Sequence, residues 1–388
     1  MAKRSKKDAQ ELAEASRLEG HLPVFGQDAA IALLQHAINS NRMPSSWIFH
    51  GPDGVGKRTT ALRLARLLLE PTLPSAAIDH FEPLQGTHAA GLIDAGTHPD
   101  LVVLRKEMAG QSQVSDLRDK KQMEIPTDLL REHIIGGLVK RENRVFEPAV
   151  FHSPYTANRR VFLIEEAELL NQTGQNALLK TLEEPPATTV LILLTSNADR
   201  LLPTIRSRCQ QLAFRRLDED AMQSWLRVGA QDADPQELEW AVRFAEGSPG
   251  LTSYALEHGL KQWDAAIGPA LEQMQRGRYP ETLGDELAGL IDGFVKAQGK
   301  GNRQLSKTRA NRDGLGMVLS VIAARLRQSM QTAIEAGDDE LAERVARTVD
   351  DLVDAERRGD RALNLKHLLS GLVASMAESL AGGPRAAS

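Results

Sequence analysis

Residues 51–59 read Gly-Pro-Asp-Gly-Val-Gly-Lys-Arg-Thr, and this stretch decides the fold. It follows the phosphate-binding loop pattern G-x-x-x-x-G-K-[ST] as far as Lys57, but Arg58 stands where the pattern requires serine or threonine. The stretch has three glycines, which allow a tight turn that aims backbone N–H groups at phosphate oxygens; they are Gly51, Gly54 and Gly56. The following helix adds its positive N-terminal end, and Lys57 can reach the β- and γ-phosphates of a nucleotide. The stretch therefore predicts a nucleotide-binding fold.

The departure at Arg58 concerns the metal ion. In ATPases with this loop, Mg²⁺ lies between the loop hydroxyl and a carboxylate on a neighbouring strand. Arg58 cannot coordinate a cation, and Thr59 lies one position further on, about 100° round the helix. We therefore expect a degenerate site, in which ATP binding is possible and Mg²⁺ is held weakly or not at all.

Short apolar runs alternate with helical patterns over residues 22–215. Trp47–Phe49 is predicted to be a strand that leads into the loop, and residues 59–69 the helix that follows it. Val161–Ile164 and Val190–Thr195 are apolar runs typical of strands that are covered on both faces. This order predicts an α/β fold, in which a parallel sheet has helices on both faces.

Two acidic residues, Glu165 and Glu166, follow the first of these later strands. An apolar strand that ends in acids is the Walker B pattern, which supplies the carboxylate for Mg²⁺. Glu165 stands where aspartate is usual, and its extra methylene moves the carboxylate. The alternative is that two acids merely end a buried strand at the protein surface.

The composition sets limits on the class of protein. A chain of 388 residues is too long for one core, so two or three domains are expected. The net charge of -5 gives no whole-chain electrostatic case for nucleic acid. The single cysteine, Cys209, excludes an internal disulfide framework and a cysteine zinc cluster, and fits a cytoplasmic protein. Neither a membrane-spanning helix nor a signal peptide is predicted.

The rest of the chain has helical patterns. A small helical module is predicted for residues 216–260, and a larger helical region for residues 261–383. A polar stretch at residues 296–312 carries six lysines and arginines, namely Lys296, Lys300, Arg303, Lys307, Arg309 and Arg312. It is either a solvated loop or a contact with a partner or the DNA backbone. Residues 1–21 and 384–388 are predicted to be flexible tails.

Two further runs resemble a known family. Residues 171–186 read Asn-Gln-Thr-Gly-Gln-Asn-Ala-Leu-Leu-Lys-Thr-Leu-Glu-Glu-Pro-Pro, and residues 201–209 read Leu-Leu-Pro-Thr-Ile-Arg-Ser-Arg-Cys. Together they resemble the AAA+ subunits of bacterial clamp loaders, the machines that open and place the replicative sliding clamp. The resemblance covers about residues 22–255. It implies an α/β P-loop AAA+ domain, then an all-α lid at residues 216–260, and an all-α C-terminal collar domain that joins the subunits.

The resemblance also implies roles for single residues. Arg208 matches the arginine that reaches the ATP of the neighbouring subunit, although it and Arg206 could be surface salt-bridge residues. Asn197 stands where AAA+ proteins place a polar sensor of the γ-phosphate, and the alternative is a turn residue at a strand end. Residues 24–27 match the family's segment near the adenine.

Two kinds of clamp-loader subunit are candidates. The gamma/tau motor hydrolyses ATP, whereas the delta-prime stator donates its arginine to the adjacent motor. Arg58, Glu165 and the absence of an arginine at Gly250 or Leu251 in the lid favour the stator. Residues 70–160 contain no cysteine, so the four-cysteine zinc module that the motor and many stators carry is not expected.

The resemblance implies an accessory subunit of DNA polymerase III, with weak or absent ATPase activity of its own. Its expected partners are gamma/tau-type and delta-type subunits, the sliding clamp and primed DNA through the assembled complex, without a membrane. The alternatives are an ATP-hydrolysing motor and a P-loop protein unrelated to replication.

Overall fold

The computed structural model describes residues 23–40, 42–118, 124–231, 233–299, 307–359 and 364–381. The predicted tails at residues 1–21 and 384–388 lie outside these ranges. The described residues form two compact units. One contains the residues up to 231 together with 246–251, and the other contains residues 233–245 and those from 252 onward. The domain boundaries predicted at residues 215 and 260 stay predictions.

The first unit combines a sheet with the helices that cover it. Its strands are β1 (Ser46–His50), β2 (Leu101–Leu104), β3 (Gly137–Val139), β4 (Arg144–Phe146), β5 (Arg160–Ile164), β6 (Thr189–Thr195) and β7 (Gln210–Ala213). Its α-helices are α1 (Asp28–Asn39), α2 (Lys57–Leu69), α3 (Ser75–Asp79), α4 (His88–Asp94), α5 (Ser115–Arg118), α6 (Thr127–Leu130), α7 (Gln172–Glu183), α8 (Pro203–Arg206) and α9 (Glu219–Gly229).

Five strands form one parallel sheet in the order β2-β5-β6-β1-β7, and β3 pairs with β4 in a separate hairpin. Strand β6 therefore lies between β1 and β5. In the register of the sheet, Phe49 is opposite Leu194, and Leu163 is opposite Ile192. Because the five strands run in the same direction, their carboxyl ends meet at one edge of the sheet. That edge is where ligands bind in open α/β sheets.

The central strands are buried on both faces. Val161 and Leu163 of β5 belong to one apolar cluster together with residues of α1 and α2. Phe162 and Ile164 belong to a second cluster together with residues of α7. Successive strand residues point to opposite faces, so a continuous apolar run buries both sides at once. The predicted fold class, a parallel sheet with helices on both faces, is confirmed.

The sequence predicted the interior strands β1, β5 and β6, and these three are confirmed with small extensions at their ends. It did not predict the outer strands β2 and β7. Both contain four residues, and each has a single buried residue in its pattern. Strand β2 is apolar throughout but only four residues long, and β7 begins with two glutamines, so neither has the longer apolar run that identifies an interior strand.

Helix α7 contains the run that carries most of the resemblance. The side-chain oxygen of Asn171 caps its N-terminus by accepting the N–H of Gly174 at 2.8 Å. Leu178 and Leu182 are buried, whereas Glu183 is exposed. The helix ends before the two prolines that follow it, because proline cannot continue the hydrogen-bond ladder.

Asp100 fixes the segment that precedes β5. Its side chain is fully buried, and its carboxylate accepts the backbone N–H groups of Tyr155 at 2.8 Å, Thr156 at 2.8 Å and Ala157 at 3.1 Å. The Nε atom of Arg160 lies 3.6 Å from the same carboxylate. Burial raises the pKa of Asp100, but the N–H donors outweigh this effect and hold the pKa below its ordinary value.

The described residues of the second unit are helical. They include α10 (Pro235–Ala245), the part of α11 (Pro249–Glu257) from Thr252 onward, α12 (Leu260–Gln275), α13 (Leu283–Gly299), α14 (Lys307–Ala336), α15 (Asp339–Gly359) and α16 (Leu365–Ala381). Among the helices described in both units, none is long and apolar enough to cross a membrane.

A largely buried carboxylate connects three helices of the second unit. Asp264 of α12 accepts two hydrogen bonds from the guanidinium of Arg325 in α14, at 2.5 and 2.7 Å. It also accepts the indole N–H of Trp240 in α10 at 2.8 Å. The paired geometry satisfies a charge that would be costly to bury alone.

The prediction of a solvated loop across residues 296–312 was wrong at both ends. Helix α13 continues to Gly299, and α14 begins at Lys307, while residues 300–306 lie outside the described ranges. A helix needs burial along only one stripe, so a polar sequence can still be helical. Ala310, which is buried, lies on that stripe of α14. The alternative of a partner contact stays a prediction.

We expect Asp100→Asn to lower the free energy of unfolding by about 2–4 kcal/mol at pH 7, because the charge that holds three N–H donors and Arg160 is lost. A carboxyl with a depressed folded pKa stabilises the protein above its unfolded pKa of about 3.9, and this contribution disappears as the pH falls through the folded pKa. The difference between the variant and the parent should therefore shrink below about pH 4. Urea unfolding across pH measures it.

Asp116→Asn is the matched control for this substitution. Asp116 forms an exposed ion pair with Arg141 at 2.9 Å, and such pairs contribute about 0–1 kcal/mol. An Asp100→Asn variant that is as stable as this control at pH 7 would contradict the structural role of Asp100.

Candidate nucleotide-binding edge

The loop between β1 and α2 has the conformation that its glycines permit. Gly51, Gly54 and Gly56 have φ angles of 142°, 74° and 105°, a region that residues with a Cβ rarely adopt. A Cβ atom on Gly51 would also lie 2.2 Å from the carbonyl oxygen of Phe214. Helix α2 begins at Lys57, directly after the last glycine, so its N-terminal end faces the loop.

Lys57 is turned toward the carbonyls of its own loop. Its Nζ atom donates to the carbonyl oxygens of Gly51 and Pro52, each at 2.6 Å, and lies 3.4 Å from the Asp53 carboxylate. Burial lowers the pKa of Lys57, and the Asp53 carboxylate opposes that shift. Binding of a phosphate by Lys57 would therefore require it to exchange these carbonyl contacts.

Arg58 pairs with the acid that sequence reasoning assigned to magnesium. Its Nε atom lies 2.7 Å from Oε1 of Glu165, and the Nε atom of Arg105 lies 3.2 Å from the same oxygen. The Arg58 and Glu165 side chains are 19% and 16% exposed, so the pair is largely shielded from water. Burial lowers the pKa of Arg58, although the Glu165 charge opposes this shift. The structure thus brings together two predicted site residues as an ion pair.

Glu166 is paired in a similar way. Its carboxylate accepts a hydrogen bond from Nζ of Lys106 at 2.6 Å. The backbone of Glu166 has a φ of 49°, which is the left-handed region and is uncommon for a residue with a side chain. Strained backbone of this kind occurs at functional edges of folds.

Asn197 lies one residue beyond Ser196 at the end of β6. Its side-chain oxygen accepts the N–H of Asp199 at 3.0 Å and caps the short turn that follows. Ser196 donates from its N–H at 3.0 Å and its hydroxyl at 2.6 Å to Glu168. These contacts fit the alternative of a turn residue at a strand end, and the sensor role of Asn197 stays a prediction.

An apolar cleft adjoins the loop. Its empty space is about 350 Å³ including its open mouth, and it is lined by Pro23, Val24, Phe25, Val55, Gly56, Thr59, Leu217, Trp225 and Pro249. Mostly apolar walls beside a few polar groups are typical of ligand sites. Gln27 fixes one wall, because its side-chain amide donates to the carbonyl oxygens of Val55 at 3.1 Å and Arg215 at 2.7 Å.

A turn at residues 246–251 packs directly on the loop. The hydroxyl of Ser248 donates to the carbonyl oxygen of Asp53 at 2.8 Å, and the N–H of Gly250 donates to that of Gly54 at 2.8 Å. A Cβ atom on Gly250 would lie 2.6 Å from the Cα atom of Gly54. The contact is backbone against backbone, and it leaves no space for an arginine side chain at position 250.

Arg208 lies away from the loop, at a partly exposed surface. Its guanidinium donates to the carbonyl oxygen of Thr204 at 3.0 Å and lies 2.9 Å from the Glu183 carboxylate. The Arg208 side chain is 36% exposed. Burial of the adjacent Cys209 raises the pKa of its thiol to about 12, so this cysteine is not a reactive thiolate.

These residues fit a nucleotide better than a magnesium ion. Magnesium requires oxygen ligands at about 2.0–2.1 Å, and a guanidinium offers none. The expected ligand Glu165 is held by two guanidiniums. No group of three or more histidine, cysteine, aspartate or glutamate side chains in the described ranges could hold a metal. The glycine loop, the start of α2 and the apolar cleft, by contrast, suit a nucleoside phosphate.

Sequence reasoning missed four residues of this edge, namely Arg105, Lys106, Glu168 and Trp225. A signal for the first two was available. Arg105 and Lys106 directly follow β2, which neighbours β5, and parallel strands bring such residues to one edge. Glu168 and Trp225 carry no comparable local signal, because their positions depend on the path of the chain after a strand or a turn.

We expect Gly250→Ala to lower the free energy of unfolding by about 2 kcal/mol or more, because the added methyl group must push apart two backbone segments. Gly91→Ala is the control, since Gly91 lies in α4 with open space around its Cβ position. That change should be neutral or stabilise by up to about 1 kcal/mol. Urea unfolding compares them, and equal stabilities of both variants would contradict the contact at Gly54.

The chain is similar to known subunits of DNA polymerase III. A family model described as "DNA polymerase III, delta subunit" matches residues 26–218. The DNA polymerase III subunit delta' of Pseudomonas aeruginosa is 34% identical over 231 residues, which are 59% of this chain and 61% of that protein. The DNA polymerase III subunit gamma/tau of Mycobacterium tuberculosis is 30% identical over 281 residues, which are 71% of this chain and 42% of that protein.

The chain thus spans less than two thirds of the length of either relative. Among solved structures, a DNA polymerase III gamma subunit-related protein of Thermotoga maritima has a TM-score of 0.43 and 16% identity, with 90% of this chain and 99% of that chain covered. The family model and both relatives lead to the same group of proteins as the sequence motifs did. The predicted resemblance to the clamp-loader subunits of DNA polymerase III is confirmed by the family model and by both relatives.

Proposed function

We propose that this chain is a stator of the delta-prime type in a DNA polymerase III clamp loader. Its own loop does not drive hydrolysis, and Arg208 completes the ATP site of a neighbouring subunit. The observation that carries the proposal is the ion pair between Arg58 and Glu165 at 2.7 Å. It uses the carboxylate that a hydrolysing site needs for Mg²⁺.

Two other features of the same edge support the absence of turnover. Glu166, the second acid of the Walker B pattern, pairs with Lys106 at 2.6 Å. The contact between Gly250 and Gly54 excludes a lid arginine at position 250, and position 251 carries a leucine. Three parts of a hydrolysing site are thus replaced by contacts within the chain.

The environment of Arg208 supports its role in trans. Its ion pair with Glu183 is exposed to solvent on both sides, and such pairs contribute about 0–1 kcal/mol. Exchanging this carboxylate for the phosphates of a neighbouring nucleotide therefore costs little. An arginine supplied by a neighbour stabilises the charge of the transition state for phosphoryl transfer.

The proposed partners follow from this role. They are the gamma/tau-type subunit that supplies the ATP, a delta-type subunit, and the sliding clamp and primed DNA reached through the assembled complex. The proposed location is the cytoplasm. The second candidate is a gamma/tau-type motor, which is favoured by the longer match to the gamma/tau relative. It is disfavoured by the paired states of Glu165 and Glu166.

The purified chain alone should hydrolyse ATP no faster than a buffer blank, because its Mg²⁺ carboxylate is engaged by Arg58 and Arg105. Phosphate release from Mg²⁺-ATP measures this, with a gamma/tau-type subunit as the positive control. Sustained turnover by the chain alone, at a rate comparable to that control, would favour the motor instead.

Arg208→Ala should slow hydrolysis at the partner's site roughly 10³-fold, and the total rate of the assembly should fall by that site's share. The variant should keep its melting temperature, since the Glu183 pair is exposed. The measurement is the steady-state ATPase rate of the reconstituted complex with clamp and primed DNA.

Arg206→Ala is the matched control, because Arg206 lies on the same segment and pairs with Asp199 at 2.5 Å. Its assembly should hydrolyse ATP at the parent rate. Equal rates for the Arg208→Ala and parent assemblies would remove the proposed role in trans.

A further inference from the structure

The chain has a positively charged side chain, Arg58, at the position where the loop pattern requires the hydroxyl that holds Mg²⁺. The Arg58 and Arg105 guanidiniums both contact Oε1 of Glu165, at 2.7 and 3.2 Å, and their side chains are mostly buried. Glu165 is therefore neutralised by two fixed positive charges. A divalent cation next to this carboxylate would face both guanidiniums at short range, and it would gain no ligand atom from either.

The features that bind the rest of a nucleotide are retained. The three glycines keep the turned conformation of the loop, and Thr60 donates its hydroxyl to the carbonyl of Gly56 in the first turn of α2. The apolar cleft beside Gly56 and Thr59 is open, and Phe25 and Trp225 are among its walls. The two guanidiniums beside Glu165 and the open cleft beside the loop are separate observations. Together they indicate a site whose ligand differs from that of a hydrolysing P-loop site.

The charges at this edge also balance without a metal. Four positive side chains, Lys57, Arg58, Arg105 and Lys106, stand against four negative ones, Asp53, Glu165, Glu166 and Glu168. An edge with only Lys57 against the acids would carry excess negative charge and would repel polyphosphate unless Mg²⁺ were present. The resident guanidiniums remove that need.

We propose that the loop binds a nucleoside di- or triphosphate without a divalent cation, with the guanidinium of Arg58 in the charge role of the metal. The proposal rests on the proposed function for one point only, that the bound nucleotide is not hydrolysed. In solution Mg²⁺ converts free nucleotide into its magnesium complex, whose cation is poorly accommodated beside Arg58. Magnesium should therefore weaken binding at this site, the reverse of its effect on a hydrolysing P-loop site.

Titration of the full chain with fluorescent ADP and fluorescent ATP tests this directly. Each nucleotide is titrated in EDTA and in Mg²⁺ in excess over nucleotide. We expect an affinity about tenfold or more higher in EDTA, which corresponds to about 1.4 kcal/mol. Binding that requires Mg²⁺, equal binding in both conditions, or no binding in either would overturn the proposal.

Arg58→Thr should abolish the preference for EDTA, because the resident cation is removed and a hydroxyl is supplied. Arg141→Thr is the matched control, since Arg141 lies in the same unit in an exposed pair with Asp116, and it should keep the preference of the parent. An Arg58→Thr variant that retains the preference would contradict the role of Arg58.

Glu165→Gln keeps the test decisive if Arg58→Thr fails to fold. Under the proposal this variant retains binding in EDTA, because the cation remains and only its carboxylate partner is neutralised. A site that uses Glu165 for a metal would instead lose its binding in Mg²⁺. The Arg208→Ala assembly measurement uses ATP held by the neighbouring subunit, so each of the two proposals can fail without the other.

Discussion

The parallel direction of the sheet is the constraint on which the nucleotide-binding edge depends. Strands β2, β5, β6 and β1 end at the same side, and the residues that follow them are forced into one row. Arg105 and Lys106 follow β2, Glu165 and Glu166 follow β5, and the loop follows β1. Residues more than 100 positions apart in sequence are thereby placed within hydrogen-bond distance, as the pair of Arg58 and Glu165 illustrates.

The sequence was sufficient for the parts of this edge that have local signals. The glycine loop and the interior strands β5 and β6 are identified by fixed spacing or by continuous apolar runs, because both faces of these strands are buried. The cap at Asn171 and the buried leucines of α7 have equally local signals. Local patterns succeed wherever the backbone conformation or the burial of a segment is decided within a few residues.

The contacts that decide the chemistry have no such local signal. The carbonyl partners of Lys57 depend on the closed shape of the loop, and the contact of Gly250 depends on a turn almost 200 residues away. The ends of the polar stretch at residues 296–312 were misjudged because composition describes solvation, not backbone conformation. In each of these cases tertiary contacts, which composition and spacing do not encode, select the structure.

Two arginine–glutamate ion pairs of the chain differ in their exposure to solvent. Arg58 and Glu165 are largely shielded from water, and removing one partner there would leave a costly unpaired charge. Arg208 and Glu183 are exposed, so their pair is weak and can be exchanged. The first pair is suited to fixing the structure of the loop, and the second leaves its guanidinium available. Thus the same chemical group is held firmly in one place and weakly in the other, as the proposed role of Arg208 requires.

The contacts that occupy the acids at this edge do not all depend on Arg58. One oxygen of the glutamate at position 165 contacts both Arg58 and Arg105. With Arg58 replaced by threonine, Arg105 would still hold Glu165, Lys106 would still hold Glu166, and Gly250 would still exclude a lid arginine. Under the two proposals, restoring the hydroxyl alone should therefore change which form of nucleotide binds without rebuilding a site for hydrolysis. The edge is a coherent arrangement of charges, in which both acids that follow β5 are paired with basic side chains of the same chain.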